Sequence, residues 1–461
     1  MIYTFSPKIK DGSKSYPCFD DLVELGRNNP NNEELENRKA AVKENDCATI
    51  IYTSGTTGNP KGVMLSHSNI LNQIANLIQT PDPKSTRAFS FLPLCHAYER
   101  LLVYMYQYLF MSVYYAENIG SIVDNMREVH PTMMCAVPRV LEKIYNKVLE
   151  TGKNKKGISK AIFLWSIRLA EKYTIYPDSR SWLYNQKLKI ADKLVYNKIR
   201  LSIGGDCFDI IVSGAASLKK EISAFFSAIK MPVYEGYGMT ECSPVITTSS
   251  NVKYGREAGF VGPAIPGVEL KVSEDGELLC RGYNVMLGYY NKPELTAEVI
   301  DKDGWFHTGD LGSIDEHGLV KITGRMKSLF KTSLGKYINP EIIENKFCES
   351  GFIENMVVVG ENQKFAAALI IPDFAFLKNW CKKHKIDFTT PAEMIKVKEI
   401  RDRFAVEIKK INENFGDVEK IKKYTLIADE WTVANGMLTP TLKIKRKVVM
   451  QKYKEQIDKL F

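Results

Sequence analysis

The sequence predicts an α/β protein in which a large domain of layered sheets and helices, residues 1–326, precedes a small α+β domain, residues 327–461. Three observations lead there. Short apolar runs of strand length alternate with stretches that read as helices, the pattern of largely parallel sheets. Beyond Gly324 the texture turns to Lys-rich helical segments. The 461 residues are also roughly three average domains of ~150, enough for one large domain and a smaller one.

Along the chain, the first strand is residues 48–53 (ATIIYT), and a Gly/Thr-rich loop follows it directly. Residues 101–116 are a charge-free apolar run of 16 residues, short of the ~20 that cross a bilayer, and read as a buried helix entering a strand. Residues 139–200 carry fifteen Lys and Arg against five Asp and Glu, with Phe163, Trp165, Ile167, Trp182 and Leu183 interleaved. Two readings of that segment stand side by side: a solvated helical face, or a basic helix resting on an anionic membrane surface or over an apolar tunnel mouth. No nucleic-acid recognition motif accompanies the charge, so no nucleic-acid partner is expected. Strands recur at 208–214 (FDIIVSG), 319–323 (LVKIT) and 355–360 (NMVVVG). Helices are expected at 374–384 and 392–414, and a loop and final helix from Met437 onward. The domain boundary falls within 325–328.

Composition excludes several classes. There are 63 Lys and Arg against 54 Asp and Glu, a net charge of +9, and 44% hydrophobic with 25% charged residues is close to the soluble globular average. That rules out a disordered, collagen-like or coiled-coil chain. The N-terminal stretch has no apolar core of the kind a secretion signal needs, so a cytosolic protein is expected. Nine cysteines are spread without a C-x-x-C pair. This disfavours both a structural zinc site and a disulfide framework, leaving reduced, mostly buried thiols.

The chemistry begins at residues 52–62 (YTSGTTGNPKG). Gly55, Gly58 and Gly62 permit tight bends, the hydroxyls of Thr53, Ser54, Thr56 and Thr57 can donate to anionic oxygens, and Lys61 adds positive charge. Such a loop grips phosphates. A Walker loop would need Gly-Lys followed by Ser or Thr, whereas the order here is Pro60-Lys61-Gly62. Further strings follow at 92–100 (LPLCHAYER), 213–217 (SGAAS), 234–241 (YEGYGMTE), 305–312 (WFHTGDLG), 324–327 (GRMK) and 438–446 (LTPTLKIKR). Taken singly, several have plain readings: His96 as a packed core histidine, SGAAS as a helix N-cap, the last string as a basic surface loop.

In this order the strings resemble the motifs of the adenylate-forming enzymes, which include acyl-CoA synthetases, luciferases and peptide-synthetase adenylation domains. The resemblance implies that Thr53, Ser54, Gly55, Thr56, Thr57, Gly58 and Lys61 bind ATP phosphates. It implies that His96 lies near the acyl wall and the reacting carboxylate. Gly214 and Ala215, with Glu235, Gly236 and Tyr237, would border the adenine, Tyr237 stacking on the base. Thr240 would donate to the α-phosphate and Glu241 hold Mg2+, a hard dication that favours carboxylate oxygen. Asp310 would accept both ribose hydroxyls with its two oxygens, and Arg325 would touch the ribose too. Lys327 would be the hinge of a mobile small domain, Gly335-Lys336 part of a CoA-binding surface, and Lys443 the adenylation lysine. Lys445, Arg446 and Lys447 lie close enough to compete for that last register.

Within the family, the LPLxHxxER form, residues 136–140 (AVPRV), the basic insertion, Gly204-Gly205 and the TPTLK ending are similar to long-chain fatty acid CoA ligases. The implied activity joins a fatty acid and ATP to acyl-AMP, then transfers the acyl group to CoA. Fatty acid, ATP and CoA are the implied partners, with peripheral membrane contact through 139–200. Two alternatives stay open: another acid–CoA or carrier-protein ligase of the superfamily, and an inactive acyl- or nucleotide-binding homologue. Two departures stand out. Relatives carry a substantial α/β segment before the phosphate loop, which here begins at residue 52, so the large domain is expected to be shortened. Phe110-Met111-Ser112 also stands where relatives tend to have a small Gly-Ala pair, and the bulky Met would either alter the acyl wall or simply repack it.

Overall fold

The structure is a computed structural model, and it describes the chain except residues 1–9, 12–13, 16, 54–59, 79–85, 119, 252–253 and 440–443. A six-stranded sheet forms its centre. Its order is Val245–Thr248, Val233–Gly238, Ile210–Ser213, Met133–Ala136, Arg87–Ser90 and Ser112–Tyr115. All neighbours run parallel except the antiparallel edge pair at Val245–Thr248. Side chains alternate along these strands, and both faces are apolar. Phe89, Met134, Ala136 and Ile211 enter one core, under helices such as Pro138–Lys153 and Lys220–Ala228. Ala88, Met133, Cys135 and Ile210 enter the other, under Ala97–Tyr108. Burial on both faces explains why these strands read as continuous apolar runs.

The expectation of largely parallel sheets holds for this sheet alone. The four-stranded sheet Val268–Val272, Glu277–Gly282, Phe306–Ile314, Val320–Arg325 is antiparallel throughout. So is the three-stranded sheet of Gly288–Tyr289, Lys61–Ser66 and Cys47–Thr53. Apolar runs report burial and carry no information about the direction of the paired strand.

Beyond the 3-10 turn Met326–Ser328 comes the hairpin Phe330–Lys331 and Tyr337–Ile338. A three-stranded sheet follows, with Ala366–Pro372 central, antiparallel to Ile353–Val359 and parallel to Ile421–Leu426. Ala366, Ala368 and Ile370 face the core under helices Pro340–Phe347, Phe374–His384 and Lys398–Asn412, while Ala367, Leu369 and Ile371 face a second core closed by Trp431 and Val449. The helix expected over 392–414 is two helices, Pro391–Met394 and Lys398–Asn412. Val397 takes extended torsions between them, which lets Met394 and Ile400 both reach the core.

The run 101–116 is, as expected, a helix, Ala97–Tyr108, entering the strand Ser112–Tyr115. All nine cysteines are free thiols. Among the described residues no helix is long and apolar enough to cross a membrane. Ahead of the strand Cys47–Thr53, helices Phe19–Asn28 and Asn32–Ala41 bury none of their residues, and Phe19, Leu22, Leu25 and Leu35 are exposed.

Candidate active site

Parallel strands deliver their C-terminal ends to one edge of the sheet, the place where open α/β sheets bind ligands. Here that edge carries Ser213 with Gly214, and Glu235 to Gly238, on adjacent strands in the register Ser213↔Glu235. His96 follows the strand Arg87–Ser90, which Met133–Ala136 separates from Ile210–Ser213, and stands at the N-terminal end of the helix Ala97–Tyr108. Gly214 sits where these pieces meet. A Cβ placed on it would lie 3.6 Å from the Tyr98 hydroxyl and 3.7 Å from the Gly236 carbonyl. Ala215 turns the chain with φ +71°, in the left-handed region. Gly238 allows no side chain at all, because a Cβ would come within 1.9 Å of the Pro244 carbonyl oxygen.

Two side-chain chains cross this edge. In the first, the Tyr237 hydroxyl donates to Asp310 Oδ2 at 2.8 Å, and Arg325 Nε lies 2.9 Å from Asp310 Oδ1. The strands Phe306–Ile314 and Val320–Arg325 place Asp310 directly opposite Arg325. Asp310 N–H donates to Thr308 Oγ1 at 3.1 Å, and that hydroxyl donates to the Leu278 carbonyl at 2.7 Å. Asp310 is buried, and burial with the Asp310 charge beside it pushes the Tyr237 hydroxyl well above its ordinary pKa.

In the second chain, the Tyr289 hydroxyl donates to Glu241 Oε1 at 3.0 Å, and Lys61 Nζ stands 4.7 Å from the centre of the Tyr289 ring. The backbone holds this group together. Strand Gly288–Tyr289 pairs with Lys61–Ser66, Tyr290 N–H donates to the Gly62 carbonyl at 2.7 Å, and Met286 N–H to the Glu241 carbonyl at 2.9 Å. Thr240 opens the 3-10 turn that carries Glu241. Burial and the Glu241 carboxylate raise the Tyr289 hydroxyl's pKa above its ordinary range.

The structure therefore brings together Gly214, Ala215, Gly236, Tyr237, Asp310 and Arg325, and links Lys61 to Glu241 through Tyr289; His96 stands at the start of the helix whose Tyr98 lies beside Gly214. Thr53 and Lys61 are paired across antiparallel strands. Ser54, Gly55, Thr56, Thr57 and Gly58 lie outside the described residues, as does Lys443. The bonds described for Glu235 run into the domain: its backbone meets Ser249, and its carboxylate accepts from Gly259 N–H at 3.4 Å. Burial pushes its pKa up to about 7. Lys327 lies in the turn Met326–Ser328. Gly335 and Lys336 are exposed at a hairpin tip, with Gly335 at φ +77°, and no described hydrogen bond or ion pair joins them to the edge residues.

Three residues beyond Lys443 in sequence, Arg446 Nη2 contacts both oxygens of Glu344, at 2.5 and 2.6 Å, and Nη1 donates to the Val358 carbonyl at 2.9 Å. Burial raises the Glu344 pKa against the opposing pull of Arg446. Arg446 is thus committed inside the small domain, which removes it as a competitor for the register of Lys443. Two further contacts reach from the large domain: Arg139 pairs with Glu354, and Lys219 donates to the Cys348 carbonyl.

Sequence reasoning missed Tyr289 and Glu99. Tyr289 had a signal in its strand-like, aromatic setting Gly288-Tyr289-Tyr290. Glu99 is a lone carboxyl among apolar residues, buried, accepting from Ser90 Oγ at 2.5 Å, with burial pushing its pKa up to about 7.

The model of the AMP-binding enzyme family matches residues 10–290, and that of the AMP-binding enzyme C-terminal domain matches 328–461. The long-chain-fatty-acid–CoA ligase FadD15 of Mycobacterium bovis is 32% identical over 97% of this chain and 77% of its own length. Human long-chain-fatty-acid–CoA ligase 6 is 32% identical over 92% of this chain and 63% of its own length. Among solved structures, the adenylation domain of a carboxylate reductase from Mycobacterium chelonae superposes with TM-score 0.69 at 19% identity, over 97% of this chain and 64% of that one. The O-succinylbenzoate CoA synthetase of Bacillus subtilis with ATP and magnesium gives TM-score 0.61 at 19% identity, over 88% and 70%.

Proposed function

The chain belongs to the AMP-binding enzyme family, and from that premise we propose that it is an AMP-forming long-chain-fatty-acid–CoA ligase. The reaction has two halves. A fatty carboxylate attacks the α-phosphorus of ATP and pyrophosphate leaves; the CoA thiol then attacks the acyl carbonyl and AMP leaves. The observation that carries the reading is the convergence, at one sheet edge, of Tyr237, Asp310 and Arg325, with Glu241 and Lys61 joined through Tyr289.

A fatty carboxylate is ionised at neutral pH, so the first half needs no general base. It needs charge neutralisation and alignment. In this reading Tyr237 stacks on the adenine, Asp310 and Arg325 hold the ribose, and Thr240 donates to the α-phosphate. The phosphate-loop residues Thr53 to Gly58, with Lys61, grip the phosphates, and Lys443 supplies the cation to the departing charge. Glu241 has the hard carboxylate oxygen that suits Mg2+, and it is the residue that would hold the ion, whose bound charge offsets that of the phosphates. His96 lines the acyl end. The domains 1–326 and 327–461 turn about Lys327 between the halves, removing Lys443 and presenting Gly335-Lys336 to CoA.

Ile158, Trp182 and Leu183 are 80%, 70% and 62% exposed in the Lys-rich helical segment 139–200. That mixture of apolar and cationic surface supports peripheral contact with an anionic membrane, where long-chain acids reside. Sedimentation with anionic vesicles tests it: a chain that stays in the supernatant opposes it.

The test of the whole reading uses the purified chain with ATP, CoA, Mg2+ and acids of graded length and shape. AMP release that requires a long-chain acid is expected. ATP binding without AMP release from any acid would reduce the chain to a binding protein.

A further inference from the structure

One side-chain cluster lies apart from all of this. His130, Asp206 and Cys207 offer one ligand atom each, and these atoms all lie within 4.8 Å of one another. His130 Nδ1 is 2.7 Å from Asp206 Oδ1, and Cys207 Sγ is 3.9 Å from Asp206 Oδ2. The three residues precede the strands Met133–Ala136 and Ile210–Ser213, which run parallel with Met133 opposite Ile210. The cluster therefore sits at the N-terminal edge of the central sheet, and Gly214 and Tyr237 at the other.

The backbone around it is tightly framed. His130 ends the helix Ile122–Val129 in the left-handed conformation, φ +47°, its N–H donating to the Met126 carbonyl at 2.9 Å. Its own carbonyl accepts from Arg87 Nε at 2.8 Å. On the other side, Gly204 stacks against the Met126–Arg127 backbone so closely that a Cβ would come within 2.4 Å of it. Arg127 Nε donates to the Ser202 carbonyl at 2.6 Å. Asp209 and Ile210 N–H both point to the Thr132 carbonyl, at 2.8 and 3.2 Å. Two chain segments 76 residues apart are thus knitted together on both flanks of the three side chains.

An imidazole, a carboxylate and a thiol within reach of one point are the donor set of a borderline-soft cation; a hard ion such as Mg2+ would not select sulfur. Ligand atoms at about 2.0–2.3 Å from zinc sit about 3–4 Å from one another, so the present spacings need only small side-chain shifts. We propose that His130, Asp206 and Cys207 form a three-ligand site for a divalent cation of the zinc class, with the remaining position open to water. Cys207 enters as the thiolate and its proton goes to solvent, while neutral His130 binds through Nδ1 with its proton on Nε2. Scanning for paired cysteines cannot find such a site, because its ligands come from two distant segments and include one sulfur.

Titration of the full chain with Zn2+ alone, by calorimetry without nucleotide, tests this. One equivalent bound per chain is expected, with a rise in melting temperature. Cys207→Ser and His130→Ala should each weaken binding by more than about tenfold while keeping acid-dependent AMP release, which reports that they fold. Co2+ should give a thiolate-to-metal charge-transfer band that Cys207→Ser abolishes. Absence of stoichiometric binding, or binding and a cobalt band that persist in both variants, overturns the assignment.

Discussion

In the nucleotide edge, Tyr237, Asp310 and Arg325 come from three different strands and already bond one another. Near Lys443 in sequence, Arg446 instead grips Glu344 with two hydrogen bonds. Under the proposed function the first region would hold base and ribose and the second would bring a cation to the phosphates, so one is assembled in advance and the other would be delivered. That difference fits the proposed chemistry: base and ribose would stay bound through both half-reactions, whereas the cation that neutralises departing pyrophosphate would be needed only in the first.

The comparison can be broken from either side. Lys443→Ala carries the largest expected effect: acyl-AMP formation should fall by on the order of 10²–10³, as for loss of one transition-state donor, while thioester formation from supplied acyl-adenylate persists. Equal loss of both half-reactions would remove Lys443 from its role. Next is the pH dependence of the edge itself. Burial holds Glu99 protonated up to about pH 7, against a usual value of 4.5. The folded chain then binds more protons than the unfolded one between those values, so stability falls as pH rises from about 4.5 to 7. Denaturation from pH 5 to 8 should show a decline to which Glu99 contributes up to ~3 kcal/mol, the part that Glu99→Gln removes. Glu235 contributes in the same direction, so a residual slope is expected.

Asp310→Ala takes an acceptor from both Tyr237 and Arg325, and should weaken ATP binding about 10- to 100-fold with little change in the KM for CoA. Glu344→Gln sharpens the other side. It leaves Arg446 without its carboxylate, should lower Tm by about 2–6 °C, and should slow adenylation more than thioester formation. A uniform slowing of both would deny the loop its special status. The smallest expected change belongs to Tyr289→Phe, which keeps the ring under Lys61 but removes the hydroxyl from Glu241. A shift of about 2- to 10-fold in the Mg2+ concentration for half-activity is predicted, corresponding to ~0.5–1.5 kcal/mol; an unchanged metal titration would detach Tyr289 from the site.

Ordered motifs made much of the edge legible in the sequence. Tyr237, Asp310 and Arg325 could be assigned by resemblance because each stands in a string of small, turn-forming residues that tolerate little drift. The aromatic setting of Tyr289 was visible but its role was not, since its contacts to Lys61 and Glu241 exist only once two distant strands pair and the turn of Glu241 packs beside them. Glu99 hid for another reason: its helix is apolar on the faces toward Leu101 and Leu102, and a carboxyl there reads as exposed until burial is known. Sheet direction was equally silent, because Ala366–Pro372 is apolar on both faces whether its neighbour runs parallel, as Ile421–Leu426 does, or antiparallel, as Ile353–Val359 does.

The bond between Tyr237 and Asp310 carries a last consequence. Under the proposed function a nucleotide arriving at this edge would meet an acceptor already in use, so its affinity would be set by an exchange of partners in which the sugar displaces a phenol. Adenine alone offers nothing for that trade, and an analogue without its two vicinal hydroxyls leaves the swap half completed. Discrimination against such molecules would then be built into the resting protein before any of them touches it.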